Sequence, residues 1–236
     1  MMEALRRRLL QTVPGRQARL TRSGRLSQFF FRWLVRRGIR LSPLAYNITV
    51  CHERKFMWFR VAKVGSRTIF HHLRESGVKL DAEHPSFVHY PVNLFRDYYK
   101  FGFVRNPWDR LVSCWLNKVV KSNYFKFEEN TLDEMRSFPS FVRHVADLDL
   151  TNCDRHLMLQ SRLLDLNTID YVGRLESFED DLRRIFERLG LPIHGEVIKK
   201  NPSRTKGDYR SHYDDATAEM AGRIYLKDIQ IFKYEF

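Results

Sequence analysis

Residues 55–73 read KFMWFRVAKVGSRTIFHHL, and their order decides the fold. Lys55 to Val61 is aromatic and β-branched, which suits a buried strand, and it runs into the loop Lys63-Val64-Gly65-Ser66-Arg67-Thr68. Ile69 and Leu73 then stand four apart on one helical face, and Glu75-Ser76-Gly77 supplies a stop. A strand, a glycine loop and a helix in that order make an anion cradle. Gly65 lets backbone amides approach, the helix N-terminus adds a favourable dipole, Lys63 adds a point charge, and Ser66 and Thr68 add hydroxyl donors. The ligand class this implies is a phosphate or a sulfate ester. The nucleoside-triphosphate loop needs Gly-x-x-x-x-Gly-Lys-Ser/Thr, whereas here Lys63 precedes Gly65, and one glycine cannot make the dinucleotide fingerprint. Taken alone, the loop is equally compatible with a plain turn between strand and helix.

The same pattern occurs twice more. Lys100 to Val104 reads as a strand running into Arg105-Asn106-Pro107-Trp108-Asp109-Arg110. Asn106 suits an N-cap, Pro107 the first helical position, and Asp109 the positive end of the helix dipole. Trp108, Leu111, Val112, Trp115, Leu116 and Val119 recur at helical spacing. Thr168 to Leu175 reads as a third strand, Ser177 as an N-cap with Asp180 three residues on, and Phe178, Leu182, Ile185, Phe186 and Leu189 as a helical stripe ending at Gly190. Residues 121 to 165 read as mostly helix and loop, and Met220, Ile224, Tyr225 and Ile229 mark a helical tail. Strands alternating with helices predict an α/β fold, a P-loop-like three-layer arrangement with a central, mostly parallel sheet flanked by helices. Ligands of such sheets bind beyond the carboxyl ends of the strands, where the first two loops lie.

Composition narrows the classes. At 236 residues and 43% hydrophobic, the chain can bury a core and is not dominated by disorder. Cys51, Cys114 and Cys153 are too few and too scattered for a disulfide framework, and neither they nor the scattered histidines show metal-ligand spacing, so no metal site is expected. No apolar run reaches the length of a membrane span; the nearest, Phe29 to Val35, is interrupted by Arg32. The net charge of +13 is uneven: residues 1–40 carry eleven Arg and one Glu, leaving a net of only +3 for the remainder. This divides the chain into an Arg-rich arm, residues 1–50, and a body, residues 51–236. Arg6 to Leu10 and Phe29 to Arg40 suit an anionic membrane surface, an organelle-targeting peptide, a solvated basic arm, or a helix packed through Phe29, Phe30, Trp33 and Leu34.

Phe101 to Ser113, FGFVRNPWDRLVS, resembles the 3′-phosphate-binding segment of sulfotransferases that use 3′-phosphoadenosine 5′-phosphosulfate (PAPS). The Lys63 to Thr68 loop then resembles the 5′-phosphosulfate loop of that family, Pro-Lys-x-Gly-Ser/Thr-x-Ser/Thr. The resemblance continues through His84 to Arg96, Asp170 to Asp181, Asn201-Pro202-Ser203 and Phe232 to Phe236. It covers about residues 55–236 and is nearest the carbohydrate-type branch with many bacterial members. Ala62 departs from the usual Pro, and Arg67 stands where a smaller residue is common.

The resemblance implies roles. Lys63 contacts the 5′-phosphosulfate and stabilises charge on the bridging oxygen. Gly65, Ser66 and Thr68 cradle the same group, with Val64 and Arg67 counted among the binding residues and Arg67 either adding a charge near the sulfonate or pointing into solvent, while Arg105 and Ser113 hold the 3′-phosphate. His89, between the two loops, is the implied base, with His84, His71 and His72 as competitors; His156 falls in a segment implied to line the acceptor cleft. The implied reaction is direct in-line sulfuryl transfer to a hydroxyl of a glycan or glycolipid, with no metal and no nucleic-acid partner. On the residues alone, a P-loop kinase-like enzyme and a non-catalytic basic binding protein on the same scaffold stay open. With no span found, the expectation is a cytoplasmic enzyme, held peripherally at the inner membrane face by its arm.

Overall fold

Strand β2, Phe56–Phe59, is buried at every position, as its continuous apolar run requires of a strand covered on both faces. The computed structural model describes residues 29, 33–34, 36–193 and 208–236. The basic stretch Arg6 to Leu10, Phe30 and the Asn201-Pro202-Ser203 segment lie outside the described residues. Besides β2 there are β1, Ile48–Cys51, β3, Tyr99–Val104, and β4, Tyr171–Arg174, ordered β1-β2-β3-β4. Strands β3 and β4 pair in parallel, Phe101 opposite Tyr171 through Val104 opposite Arg174. Only His52 to Lys55 joins β1 to β2, too short a link for a parallel crossover. The mostly parallel sheet with flanking helices is the α/β class that the alternation predicts. Both β2 and β4 are shorter than their sequence runs, and β1 gives no periodic signal because four residues are too few to show one.

The helices are α1, Ser66–Glu75, α2, Pro107–Trp115, α3, Glu129–Met135, α4, Phe138–Ala146, α5, Gln160–Leu163, α6, Phe178–Arg188, α7, Asp215–Ile224, and α8, Leu226–Phe232. The helical stripe expected to run on through Val119 instead leaves α2 for a π-helical turn, Leu116–Val120. Gly77, with φ of 69°, follows the end of α1 where the stop was expected. Asn106 caps α2 by accepting the Trp108 N–H at 3.0 Å. Ser177 stands at the cap position of α6 but does not cap: its hydroxyl donates to Asp181 Oδ2 at 2.6 Å. The Asp181 carboxylate also takes the Tyr171 hydroxyl at 2.6 Å and the Arg174 N–H at 2.7 Å. That carboxylate competes successfully for the serine proton, so the cap read from Ser177 and Asp180 is replaced by a tie between β4 and α6.

Two compact units divide the chain. The first joins Met1–Trp58 with Leu80–Tyr99; its bridges pair Leu41 with Pro91, Tyr46 with Val88 and Val50 with Ala82. Phe95 packs against Tyr98 and Tyr90 at ring separations of 4.6 and 5.9 Å. Phe29 is 70% exposed and Trp33 42% exposed, with the Arg37 guanidinium over the Trp33 ring, while Leu34 is half-buried. The second unit joins Phe59–Lys79 with Lys100–Phe236, and its core gathers Ile69, Leu73, Phe101, Phe103, Phe178, Leu182, Ile185 and Phe186. Asp228 in α8 is fully buried and accepts the Gln160 and Ser161 amides at 2.6 and 2.9 Å, capping α5 from outside. Among the described residues no helix is long and apolar enough to cross a membrane.

Gly173 shows how tightly β4 is packed: a Cβ there would lie 2.7 Å from Phe103 Cε1 and 3.1 Å from Asp181 Cβ. A planar ring cannot swing aside as an aliphatic end can, so Gly173→Ala is expected to lower stability by about 1–3 kcal/mol. Urea unfolding followed by tryptophan fluorescence checks this.

Candidate functional site

The loop between β2 and α1 is built from two residues with positive φ, Lys63 at 72° and Gly65 at 83°. A lysine there is uncommon and is held by its neighbours. Val64 between them is fully buried and anchors the turn. At Gly65 a Cβ would approach Phe178 Cε2 to 3.0 Å, so both backbone angle and space select glycine. The Thr68 N–H closes on the Gly65 carbonyl at 2.9 Å. No intramolecular acceptor is found among the described residues for the amides of Val64, Gly65, Ser66 and Arg67. The first turn of α1 contains no acidic residue, leaving the positive helix end uncompensated. Ser66 Oγ donates back to the Val61 carbonyl at 3.2 Å, Thr68 is buried, and Arg67 is exposed.

Lys63 is half-buried, and burial pushes its ammonium pKa down to about 8; Cys114 opposes this, while the positive charges of Arg105, Lys118 and Arg67 add to it. Arg105 is buried. Its Nε and Nη2 donate to the two Asp109 carboxylate oxygens at 2.7 and 2.6 Å, and its Nη1 to the Lys63 carbonyl at 3.2 Å. The forked edge of the guanidinium thus grips a carboxylate in the first turn of α2, the helix that follows it. Ser113 follows Asp109 one turn further along α2 and is half-buried.

Several positioning residues escaped the sequence reading. Arg110 is 1% exposed and joins two loops, Nε donating to the Ala62 carbonyl at 3.2 Å and Nη2 to the Arg155 carbonyl at 3.0 Å. Gln160 clamps the Arg105 backbone, accepting its N–H at 2.9 Å and donating to its carbonyl at 2.8 Å. Glu176 accepts the Asn106 N–H at 2.6 Å and the Tyr234 hydroxyl at 3.0 Å, and Asn106 Nδ2 donates to the Glu235 carbonyl at 2.7 Å. A buried arginine in a helix reads in sequence as a solvated one; only its distant partners reveal the difference.

The site residues Lys63 to Thr68, Arg105 and Ser113 all fall in the second unit, where hydrogen bonds join Arg105 to the Lys63 loop. His89 falls in the first unit, half-buried, with Nδ1 at 2.7 Å from the Ser42 carbonyl. Donation from Nδ1 leaves Nε2 as the acceptor. His84 is exposed with Nε2 3.2 Å from Glu83, His71 lies 3.9 Å from Glu75, and His72 is buried edge-on to Phe186. His156, buried beside Asp154, belongs to the second unit.

The profile of a family described as "Sulfotransferase family" matches residues 46–235. Carbohydrate sulfotransferase 14 of Danio rerio is 26% identical over 189 residues, 66% of this chain and 52% of that protein. The protein of the same name from Homo sapiens is 26% identical over 176 residues, 63% of this chain and 46% of that protein. An uncharacterized protein of Archaeoglobus fulgidus is 31% identical over 100 residues, 42% of this chain and 73% of that protein. The chain spans about half the length of the sulfotransferases it matches. No solved structure matches the chain.

An anion held by the loop favours the charged form of Lys63, so its affinity falls as pH rises through about 8, where the free ammonium loses its proton. Inorganic sulfate, which does not titrate there, is expected to bind more weakly above that pH. Lys63→Arg removes this fall, as calorimetry at constant ionic strength can read.

Proposed function

The chain belongs to the sulfotransferase family, and on that premise we propose that it transfers the sulfuryl group of PAPS to a hydroxyl of a glycan or glycolipid. The observation that carries this reading is the set of four unaccepted amides, Val64 to Arg67, at an uncompensated helix end beside the half-buried ammonium of Lys63. That constellation fits a tetrahedral anion, and Lys118, Arg67 and Arg105 add positive charge around it. The carbohydrate sulfotransferases among the relatives support a glycan as acceptor.

PAPS supplies an activated sulfuryl group whose leaving portion is the 5′-phosphate of adenosine 3′,5′-bisphosphate. The residues of the chain position and neutralise. In this reading the amides of Val64 to Arg67 and the Thr68 hydroxyl cradle the 5′-phosphosulfate, and Lys63 neutralises charge that grows on the bridging oxygen. Arg105 and Ser113 take the 3′-phosphate. Since Asp109 takes the Nε and Nη2 side of Arg105 and the Lys63 carbonyl its Nη1, the support Arg105 gives the 3′-phosphate in this reading is that of its fixed positive charge. A histidine takes the hydroxyl proton; residue order nominates His89, whose Nδ1 bond to Ser42 suits an accepting Nε2. The division into an arm, residues 1–50, and a catalytic body, residues 51–236, is part of the proposal. So is a peripheral place at the cytoplasmic membrane face, supported by exposed Phe29 and Trp33 beside Arg36 and Arg37.

Transfer of labelled sulfuryl from PAPS to pooled cell-envelope saccharides and lipids tests the proposal. Lys63→Ala is expected to lose about 100-fold or more in rate, the typical cost of one lost transition-state donor. Arg105→Ala loses transfer as well, through weakened donor binding. Circular dichroism shows whether each variant stays folded, and full activity in both folded variants refutes the assignment.

A further inference from the structure

An imidazole–carboxylate pair precedes α5. His156 is 8% exposed, its Nδ1 lies 2.7 Å from Asp154 Oδ1, and the same oxygen accepts the His156 backbone N–H at 2.9 Å. A carboxylate on Nδ1 keeps the proton there and leaves the Nε2 lone pair outward. Among the described residues no partner is found for Nε2, and it is not one of the fully buried side-chain polar atoms left without a hydrogen bond. The Tyr124 hydroxyl donates to Asp154 Oδ2 at 3.3 Å and its ring stands edge-on to His156 at 4.9 Å. Lys118 Nζ, from the π-helical turn, sits 3.7 Å from the centre of that ring.

The place of this pair is fixed by Arg110. One guanidinium holds the carbonyl of Ala62, which directly precedes Lys63, and the carbonyl of Arg155, which directly precedes His156. The two chain segments are therefore no further apart than a single guanidinium can span. Lys118 acts electrostatically on both Lys63 and His156.

We infer that His156, oriented by Asp154, is the proton acceptor for sulfuryl transfer at the Lys63 loop. This rests on the proposed sulfotransferase reading and deepens it, giving to His156 the role that residue order nominates for His89. The acceptor hydroxyl oxygen forms a bond to sulfur as the bond from sulfur to the bridging oxygen breaks. That electron pair leaves on the 5′-phosphate of adenosine 3′,5′-bisphosphate, and the hydroxyl proton passes to His156 Nε2. Burial holds His156 below the usual imidazole range against the pull of Asp154, with Lys118 and Arg155 acting in the same direction as burial. The ring is thus neutral near pH 7 and ready to accept.

The full chain is assayed with labelled PAPS, using water and pooled cell-envelope saccharides as acceptors, alongside calorimetry with adenosine 3′,5′-bisphosphate. His156→Ala is expected to bind the bisphosphate normally, lose about 100-fold or more in rate, and regain part of it with added imidazole. Asp154→Asn removes the interaction that raises the His156 pKa, so the acid limb of its rate profile moves to lower pH. His156→Ala within about threefold of wild type overturns the inference, as does bisphosphate-competent His156→Ala that imidazole does not rescue while His89→Ala is rescued. A wild-type chain that binds the bisphosphate yet transfers label to neither acceptor overturns the sulfotransfer reading itself.

Discussion

Two guanidinium groups hold the carbonyls of Ala62 and Lys63, and the loop between β2 and α1 depends on them. Arg110 takes the first and Arg105 the second. In a trans peptide the N–H points opposite to its carbonyl, so fixing these two oxygens aims the Lys63 and Val64 amides away from the arginines. The positive φ of Lys63 is sustained by that grip. The interaction is mutual: the loop satisfies buried donors that are costly to leave unpaired, and α2 receives a fixed register against it.

The support extends outward through residues that touch no ligand in this account. Asp109 fixes the Arg105 fork, Gln160 fixes its backbone, and Asp228 fixes Gln160. Glu176 and Asn106 bring the closing residues Tyr234 and Glu235 onto the start of α2, and Phe236 packs on Trp108 at 5.5 Å. Residues Tyr234 to Phe236 are therefore structural to the second loop. Lys63 sits at the centre with its charge only partly secured, since burial and three neighbouring cations oppose it. Such an ammonium gains most from an incoming anion.

Much of this was legible from local order. Gly65, the β2 run and the Ile69 and Leu73 spacing marked a strand, a loop and a helix, and Asn106-Pro107 marked the start of α2, because these signals act within a few residues. What stayed hidden is non-local. Arg110 looks like any helical surface arginine until Ala62 and Arg155 are seen beside it. Ser177 carries a cap signature, yet its hydroxyl donates to the buried Asp181 carboxylate instead. His89 attracts attention by lying between two motifs in sequence, whereas His156 is tied to the Lys63 loop through Arg110, a link that no spacing rule encodes.

The central claim is that the Lys63 loop and the start of α2 together hold a nucleotide carrying separate 3′- and 5′-phosphate groups. Calorimetric titration of the full chain with adenosine 3′,5′-bisphosphate, adenosine 5′-phosphate and ATP tests it most directly. The account predicts clear preference for the 3′,5′-bisphosphate, reduced by Lys63→Ala and by Arg105→Ala. Equal or tighter binding of ATP, or no loss of affinity when the 3′-phosphate is absent, would contradict it.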